Sequence, residues 1–236
     1  MAVTTVFFDL DGTLLPMDQE VFVKDYISRL CAYLAPHGYD PQKVSEALWI
    51  ATQAAVKNDG TVGNDKRFWD AFAALLGDGV LQMDSVFDDF YREEFPKVQK
   101  SVGFNPKSRE VISWLKSRGI RCVLATNPVC PGAATYQRIG FAGLDKADFA
   151  YVTVFENSSF CKPDPAYYRE IMDKLGLTAE ECLMVGNDAH EDVAAQEAGL
   201  EVFLLTDCLI NSKNADISAI PHGDFAALQA WLEEKI

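Results

Sequence analysis

Five short apolar runs, at 3–8, 120–125, 149–155, 182–185 and 202–205, constrain the fold of this 236-residue chain more than any other feature. Their apolar residues are mostly consecutive rather than alternating, the pattern of strands covered on both faces. Segments of helical period lie between them. Short buried strands joined by helical crossovers give a mostly parallel sheet, so the expected fold class is α/β.

The later crossovers have readable ends. In N-P-K-S-R-E-V-I-S-W-L-K-S-R-G, Val111, Ile112 and Leu115 form an apolar stripe and Gly119 is a stop. Asp164 reads as an N-cap, Pro165 as the first helical residue and Gly176 as the next stop. Thr178 opens a T-A-E-E capping box. Residues 192–199 read as the helix after the fourth strand, and 223–236 as a closing amphipathic helix.

The strand spacing is uneven. More than a hundred residues separate the first two runs, whereas a crossover needs about a dozen. Most of the excess reads helical, at 20–34, 41–56, 66–76 and 84–94. The expected organisation is therefore an α/β core of residues 1–16 and 100–236, interrupted by an inserted helical domain at 17–99. The aromatics of the insert, Trp49 and Trp69 among them, are expected in its own core. The stretch N-D-G-T-V-G-N-D at 58–65 reads as a loop, and it could face a cleft together with Lys66 and Arg67.

Composition narrows the partners. The formal net charge of -14 repels phosphate backbones, which excludes nucleic acid as an expected partner. It also means that any anion site here needs concentrated local positive charge. No apolar run approaches the roughly 18–20 residues of a membrane span. Six cysteines, at 31, 122, 130, 161, 182 and 208, form no C-x-x-C pair. They read as reduced thiols in or near a core, and with no leader-like segment before the first strand the expected location is cytoplasmic.

Polar residues fall where four of the runs end. The first is followed by Asp9 and Asp11, the second by Thr126 and Asn127, the third by Lys162 in C-K-P-D-P, and the fourth by G-N-D-A-H-E-D with Asp188 and Asp192. In an open parallel sheet, ligands bind at the carboxyl ends of the strands, so these residues should converge on one cleft. Each alone has an ordinary reading: Asp9 as a turn residue, Thr126 and Asn127 as a strand-end turn, Lys162 as a solvated lysine, Asp192 as a helix-dipole partner. Together they form one compatible set. Carboxylates suit Mg²⁺, which keeps waters and a substrate phosphate oxygen. A hydroxyl and an ammonium hold the remaining phosphate oxygens. One carboxylate can act as nucleophile and a second as proton donor. His190, inside the fourth motif, reads as an exposed loop residue, and His37 and His222 as surface residues in turns.

D-L-D-G-T at 9–13, Thr126 closing C-V-L-A-T-N, Lys162, and G-N-D-A-H-E-D at 186–192 resemble the four motifs of the haloacid dehalogenase superfamily, in the family's order. The insert resembles that family's all-α cap of the first type. The resemblance implies a Rossmann-like sheet and a Mg²⁺-dependent phosphatase acting on a small phosphorylated metabolite. By position, Asp9 would attack phosphorus and form an aspartyl-phosphate. Asp11 would be the general acid/base, with its backbone carbonyl on Mg²⁺. Thr126 and Asn127 would bind phosphate, and Lys162 would neutralise charge on nucleophile and phosphoryl group. Asp9, Asp11, Asp188 and Asp192 would form the metal set, Asp192 as support or through water. The fourth motif departs from the commonest form by placing Asn187 directly after the Gly, which leaves Asn187 and Asp188 as competing ligands. A phosphomutase, dehalogenase, phosphonatase or silent phosphate-binding module are the alternatives on this fold. A dehalogenase would lack the second Asp, and no cap lysine stands in a context that marks a Schiff base. A silent module predicts loss of a chemical residue, and none is missing.

Overall fold

The computed structural model describes residues 2–236. Its centre is a six-stranded parallel sheet: β1 (Thr5–Phe8), β2 (Arg121–Leu124), β3 (Tyr151–Val152), β4 (Cys182–Gly186), β5 (Glu201–Leu205) and β6 (His222–Gly223). The strand order is β3-β2-β1-β4-β5-β6. All five expected strands are present, the third reduced to two residues. β6 was not expected, because the segment around it, I-P-H-G-D, has no apolar run. It is held by Leu204 N–H to Pro221 O at 2.9 Å and Thr206 N–H to Gly223 O at 2.9 Å.

The strands are buried on both faces, yet their side chains still alternate between two layers. Val6, Phe8, Leu183 and Val185 join one core cluster with residues of the helices α5 (Pro106–Ser117) and α8 (Phe225–Lys235). Phe7, Val123, Met184 and Val202 join the other, with Tyr167, Tyr168 and Ile171 of α7 (Pro165–Leu175). This is the Rossmann-like arrangement of an α/β sheet covered on both sides.

Between β1 and β2 lie α1 (Gln19–Leu34), α2 (Pro41–Val56), α3 (Asn64–Leu76) and α4 (Asp84–Asp89), the last continuing as a π-turn over Phe90–Glu94. An Asp or Asn before Pro starts three helices in the chain. The side chain of Asp40 accepts from two backbone N–H groups of α2, Asn105 from one of α5 and Asp164 from one of α7. Each such cap contributes about 0.5–2 kcal/mol. Two chain crossings join these helices to the sheet, and they lie side by side: Met17 pairs with Val102, and Gly103 N–H donates to Pro16 O at 2.7 Å. The helix expected at 192–199 is a run of 3-10 turns over Val193–Ala198. The Thr178 box closes on one 3-10 turn, with Thr178 N–H donating to Glu181 Oε2 at 3.0 Å.

Candidate active site

The register of the sheet builds the site. Phe8 is level with Leu124 on one side and Val185 on the other. One step further, Asp9 leaves the central strand between Ala125 and Gly186, where the chain turns to either side of the sheet. Asp9 N–H still donates to Val185 O at 2.9 Å, so the carboxylate is carried on the rigid end of the ladder.

Lys162 is the partner that this carboxylate needs. Its Nζ donates to Asp9 Oδ1 at 2.8 Å and to Asp192 Oδ1 at 2.7 Å, and the lysine is fully buried. Three buried charges thus form a triad with net charge -1. Burial opposes the lysine's charge, but Asp192 and Asp9 outweigh it and lift its pKa well above the ordinary value. Burial also pushes the Asp9 carboxyl up to about 7; Lys162 pulls it back down, while Asp192 and Asp11 add to the rise.

Asp192 is committed on both oxygens. Its Oδ2 accepts from Asn187 N–H at 2.8 Å and Asp188 N–H at 2.9 Å. This places its carboxylate against the chain at Gly186, where an added Cβ would come within 2.1 Å of Asp192 Oδ2. Asp188 Oδ1 accepts from His190 N–H at 2.7 Å and Glu191 N–H at 2.9 Å, shaping the loop that carries Asp192 back to the lysine. Asn187 is buried and turned into the scaffold: Nδ2 donates to Cys208 O at 2.7 Å, and Oδ1 lies 2.9 Å from the Thr13 hydroxyl. That hydroxyl also lies 3.2 Å from Asp9 Oδ2, one proton for two acceptors. Gly12, at φ 87°, packs directly on Asn187, whose Nδ2 would meet a Cβ there at 2.3 Å.

Asp11 stands apart from the triad. Its Oδ2 is paired with Arg138 of α6 (Gly132–Phe141), and its Oδ1 is buried without a partner. Burial raises its pKa against the opposing pull of Arg138 and Lys162. Asn127 donates to Glu191 Oε2 at 3.0 Å and leaves its buried Oδ1 unpartnered. The carbonyl of the buried Thr126 accepts from Thr153 Oγ1 at 2.6 Å and from the Tyr167 hydroxyl at 2.9 Å, which fixes the turn after β2. So Asp9, Lys162, Asp192, Asp188, Thr126 and Asn127 do come together at the strand ends. No three His, Cys, Asp or Glu side chains are already gathered for a metal among the described residues: Asp11 is turned to Arg138, and Asp192 to Lys162 and the backbone.

Two residues, Thr13 and Arg138, escaped the sequence reading. Thr13 stands inside a motif already singled out, but its bond to Asn187 follows only from the turn that brings them together. Arg138 lies on a helix of modest apolar period that had no sequence signal of its own. One expectation about the insert is corrected: Trp49 is exposed rather than part of a core, at 63% of its surface. Of the 58–65 loop and its neighbours, Asp65 lines the cleft at the strand ends while Lys66 and Arg67 do not. Lys66 pairs with Asp70 at 2.8 Å, and Arg67 binds Asn58, Asp59 and Thr61 within the loop itself. Its fully buried Asn64 donates to Phe160 O at 3.1 Å and approaches Cys161 Sγ at 3.3 Å, docking the loop on the segment that carries Lys162.

A model of the haloacid dehalogenase-like hydrolases matches residues 3–199. The chain belongs to that family. It is therefore a hydrolase built on a six-stranded parallel sheet. A phosphoglycolate phosphatase of Rhodospirillum rubrum is 31% identical over 237 residues, 96% of this chain and 90% of that one. The pyrophosphatase PpaX of Bacillus cereus is 24% identical over 204 residues, 84% of this chain and 81% of that one. A 2-haloacid dehalogenase structure from Pseudomonas syringae pv. Tomato superposes with a TM-score of 0.66 at 20% identity, covering 98% of this chain and 99% of that one. The last likeness concerns the fold alone. No helix among the described residues is long and apolar enough to cross a membrane.

Proposed function

We propose that the protein is a phosphatase of small-molecule phosphate monoesters, as opposed to phosphorylated macromolecules, that works through an aspartyl-phosphate on Asp9. The observation that carries this reading is the fully buried Lys162 bridging Asp9 and Asp192 at the end of the central strand. An ammonium so placed neutralises the nucleophile's charge and that of an arriving phosphoryl group. The names of the two relatives support the same class of reaction.

In the first step an Asp9 oxygen attacks phosphorus, and the bond from phosphorus to the ester oxygen breaks. Asp11 gives its proton to that oxygen as it leaves. The unpartnered Oδ1 and the raised pKa of Asp11 suit an acid that starts protonated. In the second step Asp11 takes a proton from water, whose oxygen attacks phosphorus. The acyl-phosphate bond breaks, which restores Asp9 and releases phosphate. Thr126 and Asn127 hold the phosphoryl oxygens beside Lys162. Both carboxylates are needed for this sequence, and a dehalogenase would not use Asp11.

The donor set fits a hard divalent cation such as Mg²⁺, which takes oxygen ligands and keeps waters. Asp9, the Asp11 carbonyl and Asp188 would hold it, with Asp192 supporting from behind. The bonds of Asn187 to Thr13 and Cys208 favour Asp188 as the ligand. When bound, the ion offsets charge on the phosphoryl group. We further assign residues 17–99 as a helical cap on a core of 1–16 and 100–236. Six free thiols fit a reducing, cytoplasmic setting.

A phosphomonoester panel with Mg²⁺ tests the reading. Asp9→Asn should keep the fold by circular dichroism and lose all but about 0.1% of turnover. Turnover near wild type in that variant would remove Asp9 as nucleophile. Transfer to a sugar phosphate without phosphate release would instead mark a mutase.

A further inference from the structure

We propose that the organic group on the phosphate is large, apolar and free of any second negative charge. This rests on the phosphatase reading, whose site it extends. A cavity of about 820 Å³ runs from Asp11 and Asn127 at the strand ends into the helices between β1 and β2. That volume lies within the ~300–1,000 Å³ range of sites that enclose drug-sized ligands. It far exceeds what a two-carbon acid fills.

The walls are aromatic. Phe22, Phe68, Trp69, Phe72, Phe87 and Phe155 all line the cavity. Several of these rings brace one another, Trp69 edge-on to Phe87 with centroids 5.1 Å apart and Phe68 stacked on Phe72 at 5.4 Å. The exposed Trp49 also lines the cavity and so stands at its rim. Such walls gain by removing apolar surface from water, which a small hydrophilic group does not offer.

The charges point the same way. The cavity is lined by six acidic side chains, Asp11, Asp65, Asp84, Asp88, Glu156 and Glu191, and by one basic side chain, Arg138. Arg138 is already paired with Asp11. Lys162 is fully buried among its two carboxylates and does not line the cavity. The hydroxyls of Tyr26 and Tyr91 are bonded to each other at 2.9 Å. Away from the phosphate, a second anion on the substrate would therefore enter among carboxylates with no free basic side chain among the described residues lining the cavity, at a desolvation cost. Phosphoglycolate and pyrophosphate, the compounds in the two relatives' names, each carry such an anion.

The experiment compares primary alkyl esters that differ in the substituent on a two-carbon leaving alcohol, 2-phenylethyl phosphate, phosphoglycolate and phosphoethanolamine, with pyrophosphate alongside. Initial rates are measured on the wild-type protein with Mg²⁺, and binding by calorimetry on Asp9→Asn. 2-Phenylethyl phosphate should exceed each of the others at least ~10-fold in both kcat/KM and affinity. Thr52→Arg places a cation in the cavity wall and should move the ratio toward phosphoglycolate by about 10-fold. A preference for phosphoglycolate, pyrophosphate or phosphoethanolamine, or four compounds within twofold, would overturn the inference while leaving the phosphatase reading in place. Binding preference as expected with no hydrolysis of any ester would support the inference and remove the phosphatase reading.

Discussion

Lys162 is the residue on which the site's electrostatics depend. Its two partners, Asp9 and Asp192, are 7% and 1% exposed, so neither carboxylate can turn to water when the ammonium is removed. Breaking a buried ion pair from one side costs about 3–5 kcal/mol because the remaining charge is left uncompensated. Lys162→Met should therefore lower the unfolding free energy by about that amount in urea titration. Asp192→Asn added to Lys162→Met removes one of the stranded carboxylates and should recover part of the loss. Equal stability of the single and double variants would mean that Asp192 carries no charge in the fold. Arg138 is likewise buried against Asp11. Arg138→Met leaves both Asp11 oxygens without a partner, which should cost about 1–3 kcal/mol of stability and lower kcat. Arg138→Lys should recover more stability than activity, because an ammonium restores the charge but not the planar fork. Of these residues Asp9, Asp11, Lys162 and Asp192 were readable from their motifs. Arg138 was not: its partner lies 127 positions away and, unlike Lys162, it stands in no motif that marks it.

At the scale of elements, what could be read depended on how strongly each segment states its period. α2 begins and ends at the expected residues because Asp40-Pro41 sets its start and five small or apolar residues make its buried stripe. β1, β2, β4 and β5 are mostly apolar runs within a residue or two of their expected limits. β3 shrank to two residues, since the chain beyond it turns away to carry Glu156 toward the N-terminus of α6, where Gly132 N–H donates to it at 3.0 Å. The 58–65 loop was legible as a loop but not as a dock. Its function lies in Asn64, whose side chain also accepts from Asn58 Nδ2 at 2.9 Å. Asn64→Ala leaves those buried partners without their bonds, and each unsatisfied group costs about 1–3 kcal/mol. A loss of at least ~1 kcal/mol in chemical denaturation is expected, and a neutral substitution would mean that the dock contributes nothing to stability.

For the whole molecule, the sheet and the insert share one continuous core cluster, so the helices between β1 and β2 are not a loosely tethered appendage. Besides ring contacts such as Phe95 stacked on Phe141 at 6.3 Å, their hydrogen bonds to the rest of the chain include those at two places. One is the paired crossings, where Pro16 O receives Gly103 N–H. The other is the dock of Asn64 on the chain around Cys161. The cavity lies among these helices and the strand ends, so a bulky ester bound there touches both. If the ester's entry separates the two at the dock, fixing the dock should stop turnover. Asn64 Nδ2 lies 3.3 Å from Cys161 Sγ, a separation that places Asn64→Cys within reach of a disulfide once the side chains adjust. Oxidised Asn64→Cys should then lose at least ~10-fold in activity toward a bulky ester and regain it on reduction, with wild type unaffected by the same cycle. Intact activity in protein shown by mass spectrometry to be crosslinked would place the route elsewhere, along the paired crossings, where the chain can bend without breaking the Asn64 contacts.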